Sequence, residues 1–579
     1  MGSIDAADHC TVFKTSEQYL GEPRPIKIIV IGAGLSGIAA TKIFRERFSD
    51  KPAILVIYEK NDDVTGTWLE NRYPGCSCDV PAHAYTFSWE GNPNWSHAYV
   101  SSEELFHYFK GRAKAYGVDQ YVHLRHRVLG CEWNGESGLW QVEVLDTVNN
   151  RTFVDAADIV INACGFLNNW KWPDISGLHD FGGHLAHSAH WDDDFSFKDK
   201  RVAVIGSGSS AIQIVPQLQP GMFAFKKYKT SAYAPMVVKH LTSFNRSPTW
   251  VVPEFAEQFA PEGRETKISE EQKAKWRNDP ESFLKYRKEV DSVMNHFFDL
   301  QYKDSKLQQD SIEATRKAME KRLKKKPQLA KVLVPGFALG CRRITPGHGY
   351  LEALVQDNVD VRTDKILKIT KTGIDMIDGS HIECDAIVCA TGFDTSFRPF
   401  FPVVGPAGVD LRDVWAEEPR SYLSVAAAGF PNYFMTSGPN FPLANGALIP
   451  CLERCVHYAF DAAIKLQSQN IKAMSPLPEA VDDFQEYKDE LMKDLVWSSP
   501  CRSWYKNGKV EGKVWGPWPG SSLHFLELMS EPRWEDWSFE YKTQNRFQYL
   551  GRGKTQRETT DGADLAWYIT ESGGSCKEV

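Results

Sequence analysis

The chain has 579 residues, of which 42% are hydrophobic and 25% charged, and its net charge at pH 7 is −8. This length exceeds what one hydrophobic core usually contains and predicts two to four domains. The negative charge argues against nucleic acid or an anionic membrane as a partner. No apolar stretch reaches the roughly 18 residues that a membrane span needs, and no signal-peptide pattern is visible. We therefore expect a cytoplasmic protein without stable membrane insertion.

The twelve cysteines are scattered along the chain and form no C-x-x-C pair. Without that spacing a zinc site has little support, and no metal site is predicted. In a cytoplasmic protein the thiols are expected to be reduced. Cys76 and Cys78 form a C-x-C pair, for which a redox-active bridge is an alternative interpretation. The short spacing would strain such a bridge, so we favour two free thiols.

The segment 26–40 contains a short apolar run followed by Gly32, Gly34 and Gly37 in G-x-G-x-x-G spacing. A helical pattern follows, and a second apolar run ends in Glu59. In such a unit the glycines let the backbone approach a pyrophosphate at the helix N-terminus, and the acid binds ribose hydroxyls. The complete pattern predicts a dinucleotide-binding site.

The glycine pattern recurs after another apolar run, with a serine at the helix start and alanine in the third place: Gly206, Gly208, Ser209 and Ala211. The next strand, 240–246, ends in Arg246 rather than in an acid. A cation there suits a 2′-phosphate, and the missing acid removes the repulsion that would reject it. The first site is therefore predicted to bind FAD and the second NADPH. An ordinary surface role for Arg246 is the alternative.

The second unit is unusually long, because 35 residues separate Ala211 from Arg246 where such a unit needs about 20. The excess lies in 221–236, whose flanks would otherwise join into an ordinary helix–strand connection. The segment is interpreted either as a surface insertion or as the translation of an unremoved intron. Sequencing the mature transcript separates these interpretations.

Two further segments, 157–166 and 384–393, each contain an acid, an apolar run and small residues before Gly-Phe. We expect both to return the chain to the first sheet. The stretch 262–330 is rich in Lys, Glu, Gln and Leu and predicts helices. The predicted fold is α/β, with two Rossmann-like dinucleotide-binding domains, the second inserted in the first, and a helical insert. The expected divisions are an N-terminal arm (1–24), the FAD-binding domain with its linker (25–195), the NADPH-binding domain (196–380), the second part of the FAD-binding domain (381–555) and a polar tail (556–579).

A further motif lies ahead of the second glycine turn, with the spacing F-x-G-x-x-x-H-x-x-x-W-[P/D]: Phe181, Gly183, His187, Trp191 and Asp192. All fixed positions match the fingerprint of type I Baeyer–Villiger monooxygenases, and the chain resembles this family, especially its fungal members in secondary metabolism. The resemblance implies FAD and NADPH as cofactors. It places the fingerprint on the linker between the two domains, where His187 is thought to transmit domain movement. A structural hydrogen-bonding role for His187 is the alternative.

Metal binding is another interpretation of this motif, because His184, His187 and His190 lie three residues apart. On a helix that spacing would give a shared face. The glycines before these histidines and the acidic run after them argue against a helix, so metal binding is disfavoured.

The segment 65–79 also resembles the family. Thr65 departs from it, because the family prefers Ala or Gly there, and we expect little consequence. The positions of this segment that match the family are Gly66, Trp68, Tyr73, Pro74, Gly75 and Asp79. The resemblance assigns Trp68, Tyr73 and Pro74 to the flavin environment, with a place in the hydrophobic core as the alternative, and Thr67, Asp79 and Tyr85 are also expected to contact the cofactor.

The stretch 340–354 matches the part of the family that carries the catalytic arginine, which assigns that role to Arg343. A permanent cation beside the flavin would lower the pKa of the flavin peroxide and so keep it deprotonated. The same cation would stabilise the oxyanion of a tetrahedral adduct. Arg342 stands where lysine usually contacts the cofactor phosphate, a departure that keeps charge but changes geometry. Asp79 matches the carboxylate that pairs with the catalytic arginine. An anchoring role for both arginines in their loop is the alternative.

The resemblance implies an enzyme that inserts one oxygen atom of O2 beside a ketone carbonyl, giving an ester or lactone. A secondary-metabolite ketone is the expected substrate. One alternative is a nitrogen- or sulfur-oxygenating flavin monooxygenase, against which the Trp191–Asp192 ending argues. The other is a catalytically silent flavin-binding protein.

Overall fold

A computed structural model describes residues 14–20, 22–219 and 238–569 of the chain. The segment 221–236 lies outside these described residues, so its interpretation as an insertion stays a prediction. Most of the N-terminal arm and the end of the polar tail also lie outside them.

The first sheet has five strands that all pair in parallel. In spatial order the strands are Tyr433–Met435, Ile159–Asn162, Ile26–Ile31, Ala53–Tyr58 and Val122–His123. Its central strand is a nearly continuous apolar run in which Ile28, Ile29 and Val30 have no exposed surface. Such a run is typical of a parallel strand covered on both faces.

The second sheet also has five parallel strands. In spatial order they are Val359–Arg362, His240–Phe244, Arg201–Ile205, Ala386–Cys389 and His184–His187. In the chain, all of them lie between two strands of the first sheet, Ile159–Asn162 and Tyr433–Met435. The prediction of two parallel α/β domains, the second inserted in the first, is therefore confirmed.

One expected strand belongs to the other sheet. The strand Ala386–Cys389 pairs with Arg201–Ile205 in the second sheet, so the expectation that it returns to the first sheet is wrong. Its leading acid contacts that neighbouring strand: Asp385 accepts hydrogen bonds from the backbone N–H of Arg201 (2.7 Å) and from its guanidinium (2.7 Å). The motif marks a strand but not the sheet that the strand joins.

The corresponding acid in the first sheet makes the same kind of contact. Asp158 accepts from the backbone N–H of Lys27 (2.9 Å) and from the Arg24 guanidinium (2.8 Å). The two similar segments thus occupy equivalent positions in two different sheets.

Smaller sheets complete the strand content. A four-stranded sheet contains His126–Asn134, Leu139–Asp146, Arg151–Ala157 and Val403–Val404; a three-stranded sheet contains Ile366–Thr370, Gly373–Met376 and His381–Glu383; and two pairs join Val251–Val252 with Thr345–Pro346 and Ile471–Pro476 with Trp537–Tyr541. The α-helices outside the helical insert are Leu35–Arg47, Thr67–Glu70, Ser102–Tyr116, Ser209–Leu218, Tyr350–Leu354, Leu411–Val414, Leu448–Ser468, Pro478–Met492 and Ser522–Leu528.

The stretch 262–330 is helical, as its composition predicts. Its helices are Glu270–Asn278, Pro280–His296, Lys306–Arg322 and the start of Gln328–Leu333. The first three begin at capping residues, Ser269, Asp279 and Ser305, whose side chains accept from backbone N–H groups of the first turn. The insert packs against the first domain, because the buried Arg287 donates to the carbonyl of Phe87 (2.8 Å).

None of the helices in the described parts of the chain is both long enough and apolar enough to cross a membrane.

Candidate active site between two nucleotide-binding turns

The first glycine turn follows the strand Ile26–Ile31 and leads into the helix Leu35–Arg47. Gly32 has φ of +108°, and a Cβ atom on it would lie 2.8 Å from the carbonyl oxygen of Ala163. A Cβ on Gly37 would lie 2.3 Å from the carbonyl oxygen of Gly32. No side chain caps the helix at Gly34, so its first N–H groups remain available to a phosphate. The turn fits a pyrophosphate.

Glu59, at the end of the next strand, is buried and orders this turn. Its two carboxylate oxygens accept from the backbone N–H groups of Ala33 (2.8 Å) and Asn61 (2.9 Å). Burial raises the pKa of Glu59, although these two hydrogen bonds act in the opposite direction and lower it. Each carboxylate oxygen has a second lone pair, so Glu59 can also accept from a ribose hydroxyl.

The second glycine turn has the same construction. Gly206 has φ of +131°, and a Cβ atom on it would lie 2.3 Å from the carbonyl oxygen of Ala390. The helix Ser209–Leu218 begins without a side-chain cap, and the Cβ position of Gly208 is open. Ala211 is fully buried, which explains the small residue in the third place. The hydroxyl of Ser209 lies 2.8 Å from that of Thr345 and so links the helix to the chain just after the arginine pair.

Two arginines stand beside this turn. Arg246 is exposed after the strand His240–Phe244. Arg342 donates to the carbonyl of Pro248 (2.8 Å). Burial and the nearby charge of Arg246 together lower the pKa of Arg342. The two like charges therefore lie close together, an arrangement that a phosphate dianion would relieve.

The segment 65–79 begins in a strained conformation. Thr65 has φ of +86°, which a β-branched residue rarely adopts, and its neighbour Gly66 has φ of +56°. The expectation that a threonine here has little consequence for the flavin site stays a prediction. Glycine is free of this strain because it has no Cβ atom, whereas alanine is not. The turn brings Gly66 against Gly34, so that a Cβ on Gly66 would lie 3.0 Å from the Cα of Gly34.

The aromatic residues expected near the flavin form one group. Trp68 lies on the short helix that begins at Thr67, and its ring packs edge-to-face on that of Tyr85, with centroids 5.5 Å apart. Burial raises the pKa of Tyr85, so its hydroxyl is protonated at neutral pH.

Asp79 and Arg343 meet, although 264 positions separate them in the chain. Arg343 donates to the Oδ2 atom of Asp79 at 3.1 Å. The Asp79 side chain is 7% exposed and that of Arg343 is 40% exposed. A buried carboxylate therefore holds an arginine that is partly exposed to solvent. Partial burial works against the charge of Arg343, but Asp79 outweighs it and the arginine's pKa lies above its ordinary value.

Two neighbours of Asp79 carry no motif and were missed by sequence reasoning. Gln213, on the second glycine-turn helix, donates to Oδ1 of Asp79 (3.3 Å) and accepts from the hydroxyl of Tyr73 (2.9 Å). Arg264, just before the helices of the insert, has its Nη2 atom 3.8 Å from the same oxygen. Neither could be found from spacing, because the contacts are made between elements that only the tertiary fold brings together.

The cysteines near the site divide into two kinds. Cys76 and Cys78 are free and buried, and burial raises the pKa of each to about 12, so neither is a thiolate at neutral pH. Cys341 and Cys501 form a disulfide, so the expectation that all thiols are reduced is wrong. The two Cα atoms lie 6.4 Å apart across a separation of 160 residues, a proximity that sequence spacing cannot reveal. The bond ties the residue before the arginine pair to the C-terminal part of the chain.

The fingerprint motif forms a strand and a turn. His184–His187 is the edge strand of the second sheet, beside Ala386–Cys389. A strand places residues three apart on opposite faces, so these two histidines do not share a face. Among the described residues no group of three His, Cys, Asp or Glu side chains could hold a metal ion.

Each fixed position of the fingerprint has a packing contact. A Cβ on Gly183 would lie 2.7 Å from the ring of Phe181. Trp191 is buried against the ring of Phe197, with centroids 5.1 Å apart. Asp192 accepts from the backbone N–H of Asp194 (3.0 Å).

His187 is fully buried and stacks on Trp170, with ring centroids 4.6 Å apart. Its Nδ1 atom accepts from the N–H of Ala189 (3.1 Å), and its Nε2 atom lies 3.4 Å from the hydroxyl of Thr391. Burial and the neighbouring His190 lower its pKa to about 4. These contacts fit the structural hydrogen-bonding role.

Comparisons with known proteins agree with this architecture. Residues 25–220 match the family described as flavin-binding monooxygenase-like. The FAD-binding monooxygenase tazF of Aspergillus terreus is 38% identical over 553 residues, which cover 94% of this chain and 95% of that protein. A Baeyer–Villiger monooxygenase of Streptomyces coelicolor is 33% identical, over 86% of this chain and 90% of that protein.

Among solved structures, an oxidised steroid monooxygenase bound to NADP superposes with a TM-score of 0.73 at 25% identity, covering 90% of this chain and all of that one. The chain therefore belongs to the flavin-binding monooxygenase-like family and is a flavin monooxygenase of its Baeyer–Villiger-like group. The resemblance read from the motifs is confirmed.

The strain at Thr65 leads to a stability prediction. Thr65 is fully buried and its hydroxyl has no hydrogen-bond partner among the described residues. Thr65→Gly removes both the backbone strain and the buried hydroxyl, so the free energy of unfolding of the cofactor-free protein should rise by about 1–2 kcal/mol. Thr65→Ala, which keeps the strain, should gain less. Thermal melting of the three proteins measures this, and a glycine variant less stable than the other two would contradict it.

The low pKa of His187 predicts a pH dependence of stability. The unfolded chain binds a proton near pH 6.5, whereas the folded chain does so near pH 4. The stabilisation is therefore complete above pH 6.5 and is lost as the pH falls toward 4. His187→Asn keeps an acceptor for Ala189 but cannot titrate. Between pH 7 and pH 4 its free energy of unfolding should fall by about 3 kcal/mol less than that of the wild type. Equal losses in a series of melting curves would refute the assignment.

Proposed function

We propose that the protein is an FAD- and NADPH-dependent Baeyer–Villiger monooxygenase. The reaction takes a ketone, O2, NADPH and a proton to an ester or lactone, NADP⁺ and water. The observation that carries the proposal is the contact of Arg343 with the buried Asp79 between two glycine turns. A secondary-metabolite ketone is the proposed substrate class.

The two turns are the proposed cofactor sites. Gly32, Gly34 and Gly37 would approach the FAD pyrophosphate, and Glu59 would accept from its ribose. Gly206, Gly208 and Ser209 would do the same for NADPH, with Arg246 and Arg342 facing the 2′-phosphate. Relatives support both assignments, since tazF is an FAD-binding monooxygenase and the steroid monooxygenase binds NADP.

The bound flavin, once reduced, supplies the chemistry that activates O2. Arg343 contributes a charge that cannot be lost near neutral pH, which favours anionic oxygen beside it. The same guanidinium can donate to the oxyanion that forms when a ketone carbonyl is attacked. Asp79 orients the guanidinium and stays clear of solvent. Trp68 and Tyr85 contribute an apolar wall that excludes water near the flavin.

The fingerprint residues are proposed as the support of this arrangement. They lie on the edge strand and turn of the second sheet, with His187 between Trp170 and Thr391. A shift of this edge strand would change the packing of both domains. The role of His187 in domain movement therefore remains part of the proposal.

Replacement of Arg343 tests the proposed chemistry. Arg343→Ala should lower ester formation by at least about 100-fold, because the oxyanion loses its charged donor. Reduction of the flavin by NADPH should persist, since the glycine turns are unaltered. Arg343→Lys keeps the charge but not the paired donors, so its rate of ester formation should lie between those of the wild type and Arg343→Ala. Oxygenation is measured by the mass of the product formed under ¹⁸O₂, with a panel of ketones and thioethers.

An Arg343→Ala protein that forms ester at the wild-type rate would remove the assigned role. Faster oxidation of a thioether than of any ketone would favour heteroatom oxygenation instead. Absence of any oxygenated product with intact flavin reduction would favour the silent flavoprotein.

Cofactor choice tests the second site. Arg246→Ala should reduce the preference for NADPH over NADH by about 10- to 100-fold, the worth of one charged contact to a phosphate. The exposed Arg316, on the helix Lys306–Arg322, offers a matched control, and Arg316→Ala should leave the preference unchanged. Steady-state kcat/KM with each coenzyme gives the ratio. An unchanged ratio in Arg246→Ala would return Arg246 to an ordinary surface role.

A further inference from the structure

Arg264 is a second arginine at Asp79. It lies in the connection between Val251–Val252 and the first helix of the insert, in a short 3₁₀ turn, Gly263–Glu265. Its side chain is 15% exposed, less than half the exposure of Arg343. Its Nη2 atom lies 3.8 Å from Oδ1 of Asp79, whereas Arg343 holds Oδ2 at 3.1 Å. The Asp79 carboxylate therefore stands between two guanidinium groups, one on each oxygen.

Other contacts fix Arg264 in place. Its Nε atom donates to Oε1 of Glu254 at 2.9 Å, and its Nη1 atom donates to the hydroxyl of Ser77. The guanidinium also lies over the ring of Tyr99, 5.8 Å from its centroid. Burial works against the charge of Arg264, but Glu254 and Asp79 outweigh it and its pKa lies above the ordinary value. Arg264 is thus a permanent, immobilised cation.

The group contains two cations, Arg264 and Arg343, and two carboxylates, Glu254 and Asp79. Glu254 is 8% exposed and pairs with Arg264 at 2.9 Å. The Nη2 atom of Arg264 is buried without a hydrogen-bond partner among the described residues, and it is the atom nearest to Asp79. An unsatisfied buried donor beside a carboxylate attracts its negative charge. Asp79 consequently divides its charge between two arginines.

We propose that Arg264 is a positioning residue of the oxygenation site, which shares Asp79 with Arg343 and so leaves Arg343 with uncompensated positive charge toward the reaction centre. This inference rests on the proposed function, because it concerns the positive charge of Arg343 at the oxygenation site. It goes beyond that function in naming the group that controls how strongly Asp79 neutralises Arg343.

The test uses a charge-balanced variant, because Arg264→Gln alone would leave Glu254 buried and unpaired. Glu254→Gln with Arg264→Gln removes both members of the pair. We expect the double variant to melt within a few degrees of wild type. Its kcat for oxygenation should fall about tenfold, with KM for NADPH within about twofold. The reduction potential of bound FAD should become more negative, because Asp79, no longer shared with Arg264, would neutralise Arg343 more completely and reduced flavin carries negative charge.

A double-mutant cycle decides whether Arg264 acts through Asp79. The Asp79→Asn protein is compared with the triple variant that also carries Glu254→Gln and Arg264→Gln. If Asp79 mediates the effect, the shift in FAD potential should be clearly smaller in this background, and the extra loss of kcat should be below about twofold. Arg264→Lys keeps the charge and should retain a potential close to wild type.

Equal shifts in both backgrounds would overturn the inference, because Arg264 would then act independently of Asp79. A double variant with wild-type kcat and wild-type potential would overturn it as well, and would make Arg264 only the partner of Glu254. The potential and melting measurements need no oxygenated product. They therefore decide the role of Arg264 even if the ketone reaction itself fails for the wild-type protein.

Discussion

The contact between Asp79 and Arg343 links the chain that follows the first glycine turn to the chain that follows the second. Asp79 follows the first glycine-turn unit, and Arg343 lies in the chain that leads back from the second. A buried carboxylate needs a cationic partner, and an arginine with a fixed charge needs an anchor. The packing of Gln213 and Tyr73 around the pair, and the disulfide two residues before Arg343, all maintain this meeting of the domains.

The two parallel sheets share a local contact. In each sheet an acid before a strand accepts from a backbone N–H of the neighbouring strand: Asp158 at Lys27, and Asp385 at Arg201. The fingerprint histidine borders the second of these strands, because His187 pairs in register with Cys389. The fingerprint, which the resemblance places on the linker between the two domains, is therefore part of the edge of the second sheet.

Local motifs predicted what depends on local chemistry. The glycine turns, Glu59 and the helical insert follow from spacing and composition, and the family resemblance added Asp79 and Arg343. What escaped prediction depends on tertiary neighbours: the sheet that Ala386–Cys389 joins, the Cys341–Cys501 bond, and the position of Arg264. Thr65 shows a third kind of limit, since a residue type predicts backbone strain only when φ at that position is known.

We propose that the Asp79–Arg343 pair lets reduced flavin and O2 form an oxidant that persists until a ketone arrives. The most direct measurement reduces the FAD-loaded protein with NADPH, mixes it with O2 in a stopped-flow instrument without substrate, and follows the flavin absorbance. We expect a distinct oxygenated species that decays slowly and is consumed when a ketone is added. Immediate return to oxidised flavin, with one hydrogen peroxide per NADPH, would contradict it.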